Sequence, residues 1–96
     1  MEFEWDEAKE RANTEKHGVS FDLAKEIFER RVLTSPSSRH EYGEQRFVSI
    51  GQTGSALIVV VHTRRNGRIR LISARPASRK ERLRFHEKIR EASDNR

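Results

Sequence analysis

Apolar residues along this chain change spacing several times, and each change predicts an element. In "EFEW" (2–5), Phe3 and Trp5 alternate with acids, the spacing of a short strand. Asp6 then suits the N-cap of a helix over 7–17, with Ala8 and Ala12 on one face and Gly18 as its left-handed terminator. Ser20 opens a second predicted helix, 21–29, where Phe21, Ala24, Ile27 and Phe28 form one stripe. "RRVLTS" (30–35) reads as a strand that stops at Pro36, and "SPSSRHEYGEQ" (35–45) reads as a polar loop. "RFVSIGQ" (46–52) and "ALIVVVHTR" (56–64) are strands separated by a turn at "TGS", the second rich in β-branched residues and largely buried. Asn66-Gly67 signals a two-residue hairpin, because both positions of such a turn need positive φ. "RIRLISAR" (68–75) is the return strand. After Pro76 and Ala77, Ser78 and Glu81 form a capping box for a third helix, whose inner edge is Phe85, Ile89 and Ala92. Residues 93–96 are expected to fray. The order β-α-α-β-β-β-β-α predicts an α+β fold: an antiparallel β-sheet with two N-terminal helices and a C-terminal helix packed on it.

A two-residue hairpin loop fixes a register. Arg65 falls opposite Arg68, Thr63 opposite Arg70 and Val61 opposite Ile72, and side chains alternate between faces. Thr63, Arg65, Arg68 and Arg70 then share an open, cationic face, while Ile58, Val60, His62, Ile69 and Leu71 share the core face. Like charges directly opposite destabilise a sheet by up to about 1 kcal/mol. An anionic ligand would offset that cost.

The 96 residues suit a single domain, 1–96, burying roughly two-thirds of its unfolded surface. With no cysteine, disulfides and Cys-based metal sites are excluded, and a cytoplasmic location fits. The acidic N-terminal stretch does not read as a signal peptide, and the longest apolar run, "ALIVVV" (56–61), is too short to cross a bilayer. Net charge is +5, unevenly spread. Residues 64–84 carry nine basic side chains and one acid, net +8, against −3 for residues 1–63. Clustered like charge does not help folding, so the run points to a polyanionic partner.

"FEWDEAKERANTEKHGVSF" (3–21) followed by "HTRRNGRIRLISARPASRKER" (62–82) resembles the BrnT-type toxins of bacterial type II toxin–antitoxin systems. The first half of the pattern falls on Phe3, Trp5, Asp6, Lys9, Asn13, Lys16, His17, Gly18, Val19 and Phe21. The second falls on Thr63, Arg65, Arg70, Ser73, Ala74, Arg75, Arg79, Glu81 and Arg82. The resemblance implies a RelE-like fold and a metal-independent ribonuclease that inhibits translation. It further implies a cognate antitoxin with a ribbon-helix-helix domain, and contact with operator DNA only through the toxin–antitoxin complex. Two positions depart from many relatives: Pro76 stands where they have a second Arg, and Phe85 where they have Tyr in the last helix.

Metal-free RNA cleavage needs cations on the crowded phosphate, a base for the 2′-OH and an acid for the leaving oxygen. Arginine suits the first task because its fork binds two phosphate oxygens and stays charged. Arg65 and Arg70 are the first catalytic candidates, with Arg68, Arg75, Arg79 and Arg82 as RNA-binding supports. His86 and His17 are the candidate acid and base, and His86 would take over any role of the missing Tyr hydroxyl. His62 points toward the core, and His40 lies in the expected loop. No metal-ligand spacing such as H-E-x-x-H is present, so neither metal nor cofactor is expected. Guanidinium groups from hairpin and helix are thus expected to converge on one phosphodiester. The plainer reading of the same arginines is a solvated surface or an antitoxin contact. In that case the chain would be a non-catalytic nucleic-acid-binding or protein-interaction module acting with the antitoxin in operon repression.

Overall fold

The computed structural model of the chain describes residues 1–41, 43–54 and 56–94. Its elements run β1 (Phe3–Glu4), α1 (Glu7–His17), α2 (Phe21–Ala24), a 3₁₀ segment (Lys25–Glu29), β2 (Val32–Glu41), β3 (Glu44–Gln52), β4 (Leu57–Arg65), β5 (Arg68–Pro76) and α3 (Arg79–Asp94). The expected caps are made. Lys9 N donates to Asp6 Oδ1 at 3.0 Å, and Leu23 N donates to Ser20 Oγ at 3.1 Å. Gly18, at φ 71°, ends α1 and donates to Thr14 O at 2.8 Å. The predicted helix 21–29 is α-helical for one turn and then tightens to 3₁₀. Three residues per turn align Ala24 with Ile27, and both are fully buried. The C-terminal helix runs to Asp94, and residues 95 and 96 lie outside the described residues.

The strands form one sheet in the order β1-β5-β4-β3-β2. It is mixed rather than purely antiparallel. The meander β2 to β5 leaves the outer edge of β5 unpaired, and β1 joins it in parallel, with Phe3 beside Ile69 and Glu4 beside Arg70. Segment 35–45 is strand across most of its length, not loop: β2 pairs with β3 from Val32 to Glu41, with a register shift between Pro36 and His40. Proline is tolerated there because β2 is an edge strand. His40 is therefore in β2, though its side chain is outside the described residues, as is Ser55 of the expected "TGS" turn. β4 is the central strand, which explains its unbroken apolar run: Leu57, Ile58, Val59 and Val60 are all buried, two on each face.

Both faces of the sheet are covered, by different helices. On one, Ile58, Val60, Ile69, Leu71 and Ala74 pack under Val19, Phe21, Ala24 and Ile27. On the other, Leu57 and Val59 meet Ala77 and Phe85, with Ile89 alongside. The face expected to be open is thus partly roofed by α3. Ala92 is exposed, since α3 has left the sheet by that point. On α1 the alanines also face solvent, and the inner side is polar. Buried Asn13 takes a hydrogen bond from Ala74 N at 3.1 Å. It donates to Ala74 O at 2.8 Å and to Val19 O at 3.1 Å. It acts as a substitute strand on β5 where β1 has ended.

Candidate nucleic-acid interface

The Asn66-Gly67 turn has φ of 53° and 76°, so the loop is the two-residue one and the expected register holds near it. Arg65 lies opposite Arg68, Arg64 opposite Ile69 and Thr63 opposite Arg70. Val61, however, pairs with Ser73 rather than Ile72, because a β-bulge intervenes between Val61 and His62. The bulge changes which residues face α3. Strict alternation from Arg70 would turn Arg75 toward the N-terminal helices. Instead Ala74 enters that core, and Arg75, opposite Val59, faces α3 together with Arg65, Arg68 and Arg70.

Each of these four guanidinium groups has a carboxylate partner. Arg65 Nε donates to Glu44 Oε1 at 3.0 Å. Arg68 Nε reaches Glu2 at 3.2 Å, and Arg70 Nη1 reaches Glu4 at 2.8 Å. Arg75 holds Glu81 with two bonds, 2.8 and 2.9 Å. Exposure separates them. The Arg65, Arg68 and Arg75 side chains are 43%, 51% and 44% exposed, whereas Arg70 is 26% exposed and Glu4 only 22%. Exposed pairs contribute about 0–1 kcal/mol, so Arg65 and Arg68 are loosely held, whereas Arg75 is tied to Glu81 by two bonds. Arg70 is held more firmly by the β1–β5 pairing. Thr63, expected on the cationic face, is instead buried, and its hydroxyl donates to Gln45 O at 2.7 Å.

Glu81 joins strand to helix. Ser78 N donates to its Oε1 at 2.8 Å while Glu81 N donates to Ser78 Oγ at 3.2 Å, the predicted capping box. The same carboxylate binds Arg75, a partnership the capping motif did not reveal. The Arg75 bonds, helped by those from Ser78, hold the Glu81 carboxyl down at about 2. In turn Glu81 raises the Arg75 guanidinium above its ordinary range. Arg82 donates to Ala77 O at 3.0 Å. Arg79 and Arg84 make no hydrogen bond or ion pair among the described residues. Arg79, Arg82 and His86 follow one another at helical spacing on α3 and are all exposed.

The histidines part company. His86 is exposed and meets the ring edge of Phe85 at 5.6 Å. Phe85 itself is buried under α3, so that ring is core. His17 ends α1, one turn beyond Asn13, and makes no hydrogen bond or ion pair among the described residues. His62 is buried as expected, edge-on to Phe28 at 5.1 Å and stacked on Phe47 at 5.9 Å. Its Nε2 lies 2.7 Å from Ser49 Oγ, which is 2.7 Å from Thr34 Oγ1, while Nδ1 has no partner among the described residues. Burial, and secondarily the charge of Arg64, push His62 down to about 4.

The register spreads the arginines along β5 in two groups. Arg70 and Arg75 are five residues apart on one strand, roughly 16 Å at about 3.3 Å per residue. One group, Arg65, Arg68 and Arg70, lies toward the hairpin; the other, Arg75, Arg79 and Arg82, lies where α3 starts. Together they form a row of cations along β5 and the start of α3. Among the described residues, no three His, Asp or Glu side chains form a metal-binding group, and no helix is long and apolar enough to cross a membrane.

In a comparison with protein families, residues 5–81 fit the model described as "Ribonuclease toxin, BrnT, of type II toxin-antitoxin system". A search of curated proteins finds no match.

Proposed function

The chain belongs to the BrnT family of ribonuclease toxins of type II toxin–antitoxin systems, and from that premise we propose that it cleaves RNA on the α3 side of its sheet without a metal ion. Cleavage inhibits translation, and a cognate antitoxin carrying a ribbon-helix-helix domain neutralises the protein. Operator DNA is reached only through the toxin–antitoxin complex, all within the cytoplasm. The fold is read as RelE-like, with residues 1–96 as one domain.

One observation carries the site assignment: within the +8 run of residues 64–84, Arg65, Arg68, Arg70 and Arg75 share the α3 face of the sheet, and Arg79 and Arg82 follow on α3. In this reading the RNA backbone lies along β5. Exposed Arg65 and Arg68 exchange Glu44 and Glu2 for phosphate oxygens, and a bidentate guanidinium–phosphate pair is stronger than the exposed ion pairs it replaces. Arg75, Arg79 and Arg82 hold the strand at the other end. Arg70, fixed by Glu4, serves as a positioned charge at the middle. His86, exposed beside Arg82, is the proton-transfer candidate nearest this row, with His17 the alternative.

The test uses purified protein and single-stranded RNA in EDTA. Arg65→Ala and Arg70→Ala, each checked for folding by circular dichroism, are expected to lower the cleavage rate roughly 100-fold. Unchanged cleavage in both rejects the site. Loss of cleavage in EDTA by the unmodified chain rejects metal independence. Salt-sensitive binding with intact RNA recovered favours the non-catalytic alternative.

A further inference from the structure

The α3 side of the sheet is only half covered. A helix is about 10 Å across and strands lie about 4.8 Å apart, so α3 roofs roughly two strands. What remains is a groove of about 460 Å³ between α3 and the β2–β3 pair. Leu33, Val48, Ile50, Val59 and Phe85 line it. Leu33, Val48 and Ile50 are only half-buried, whereas Ser49 and Gly51 on the other face of β3 are buried. Its width matches one further helix, set beside α3 at the usual 8–10 Å axial spacing.

The rim is charged and one-sided. Arg84 and Lys88, at i and i+4, line the groove from α3. Glu81 also lines it, but its carboxylate is committed to Arg75 and Ser78. Among the described residues Lys88 has only a long, exposed contact with Glu91 at 3.8 Å. The edge therefore presents net positive charge above an apolar floor. RNA fits poorly, since the floor offers aliphatic side chains where nucleic acid needs stacking surfaces and phosphate donors. A second copy fits poorly as well, because it would bring the same Arg84 and Lys88 to the contact of a chain already at +5.

We propose that this groove receives an amphipathic helix of the antitoxin, with an apolar stripe on Leu33, Val48 and Ile50 and acidic residues along the edge facing Arg84 and Lys88. The inference rests on the toxin–antitoxin reading and adds where the partner sits. The groove adjoins the α3 end of the arginine row, so a helix seated there also stands at the mouth of the RNA path. Neutralisation then needs no contact with the hairpin.

The probe is the full-length product of the gene adjoining this one, tested by calorimetry against the whole chain. Val48→Lys, and separately the double charge reversal Arg84→Glu with Lys88→Glu at exposed positions, are each expected to weaken association by roughly tenfold or more. Cleavage of RNA by Val48→Lys alone is expected to stay at the unmodified level. Hydrogen exchange of the complex is expected to slow at 33–35, 48–50 and 84–89. Undiminished affinity in both variants, or protection confined to the hairpin, overturns the assignment. Loss of RNA cleavage with partner affinity intact assigns the groove to RNA instead. If the unmodified chain does not bind the neighbouring product, the toxin–antitoxin reading fails and takes the proposal with it.

Discussion

Asn13 carries more of the fold than its place in a polar helix suggests. Its amide satisfies both backbone groups of Ala74 and the carbonyl of Val19, and it is buried. Replacement by alanine strands the N–H and C=O of Ala74 and leaves Val19 O only the bond from Thr14 Oγ1, and the expected cost is about 3 kcal/mol, measured by urea denaturation. Composition gave no hint of this, because an Asn in a helix usually faces water; only its place in the family pattern marked it. His62 makes the second case. Its pKa of about 4 lies below the ordinary 6.5. Between these values the unfolded chain binds a proton that the folded chain refuses. Stability is therefore full above about pH 6.5 and falls as pH drops toward 4. A loss of roughly 2 kcal/mol between pH 7 and pH 5 is expected, and His62→Gln should abolish most of it. That His62 faces inward was legible from strand alternation. Its hydroxyl chain to Ser49 and Thr34 was not, because that chain depends on pairing between three strands.

Elements with strong local signals formed where the sequence placed them. Asp6, Ser20 and the Ser78–Glu81 box act within four residues of themselves, and Asn66-Gly67 sets its own turn. Elements that depend on neighbours were misjudged. The later half of β2, beyond Ser35, reads as loop because of its Pro and polar residues, yet pairing with β3 outweighs that preference at an edge. The parallel docking of β1 has no local signal at all. Gly51 shows a similar dependence. A Cβ there would lie 2.8 Å from Ile27 Cβ and 3.0 Å from Val32 Cγ1, so the 3₁₀ segment rests directly on the β3 backbone. Gly51→Ala is expected to destabilise by about 1–3 kcal/mol, seen as a lowered melting temperature. The strand–helix joint has its own acid sensitivity. With the Glu81 carboxyl at about 2, its contribution is complete above about pH 4.5 and disappears as pH falls through 2. In Glu81→Gln that low-pH loss should be absent.

Across the whole molecule, the charge asymmetry was readable and its geometry only partly so. Residues 64–84 are strongly basic in any conformation, but which arginines share a face depends on a bulge that no local signal announces. The carboxylates that pair with them come from residues 2, 4, 44 and 81, mostly distant in sequence. An extended row of cations predicts a steep salt dependence. For single-stranded RNA, log affinity should fall with log salt by about 0.7 per neutralised phosphate. Arg79→Ala should reduce that slope by roughly one such increment, as read by fluorescence anisotropy over a salt series.

The stagger at Ile72 means that β5 is set by two anchors, the hairpin at one end and the Ser78 cap at the other, which are out of step by a single residue. Ile72 absorbs the difference. A chain shortened by that residue alone keeps Leu71 and Ala74 inward and Arg75 outward, so it should fold and retain the Arg75–Glu81 clamp. Shortening β4 by one residue instead offers no such slack and forces one anchor to give way.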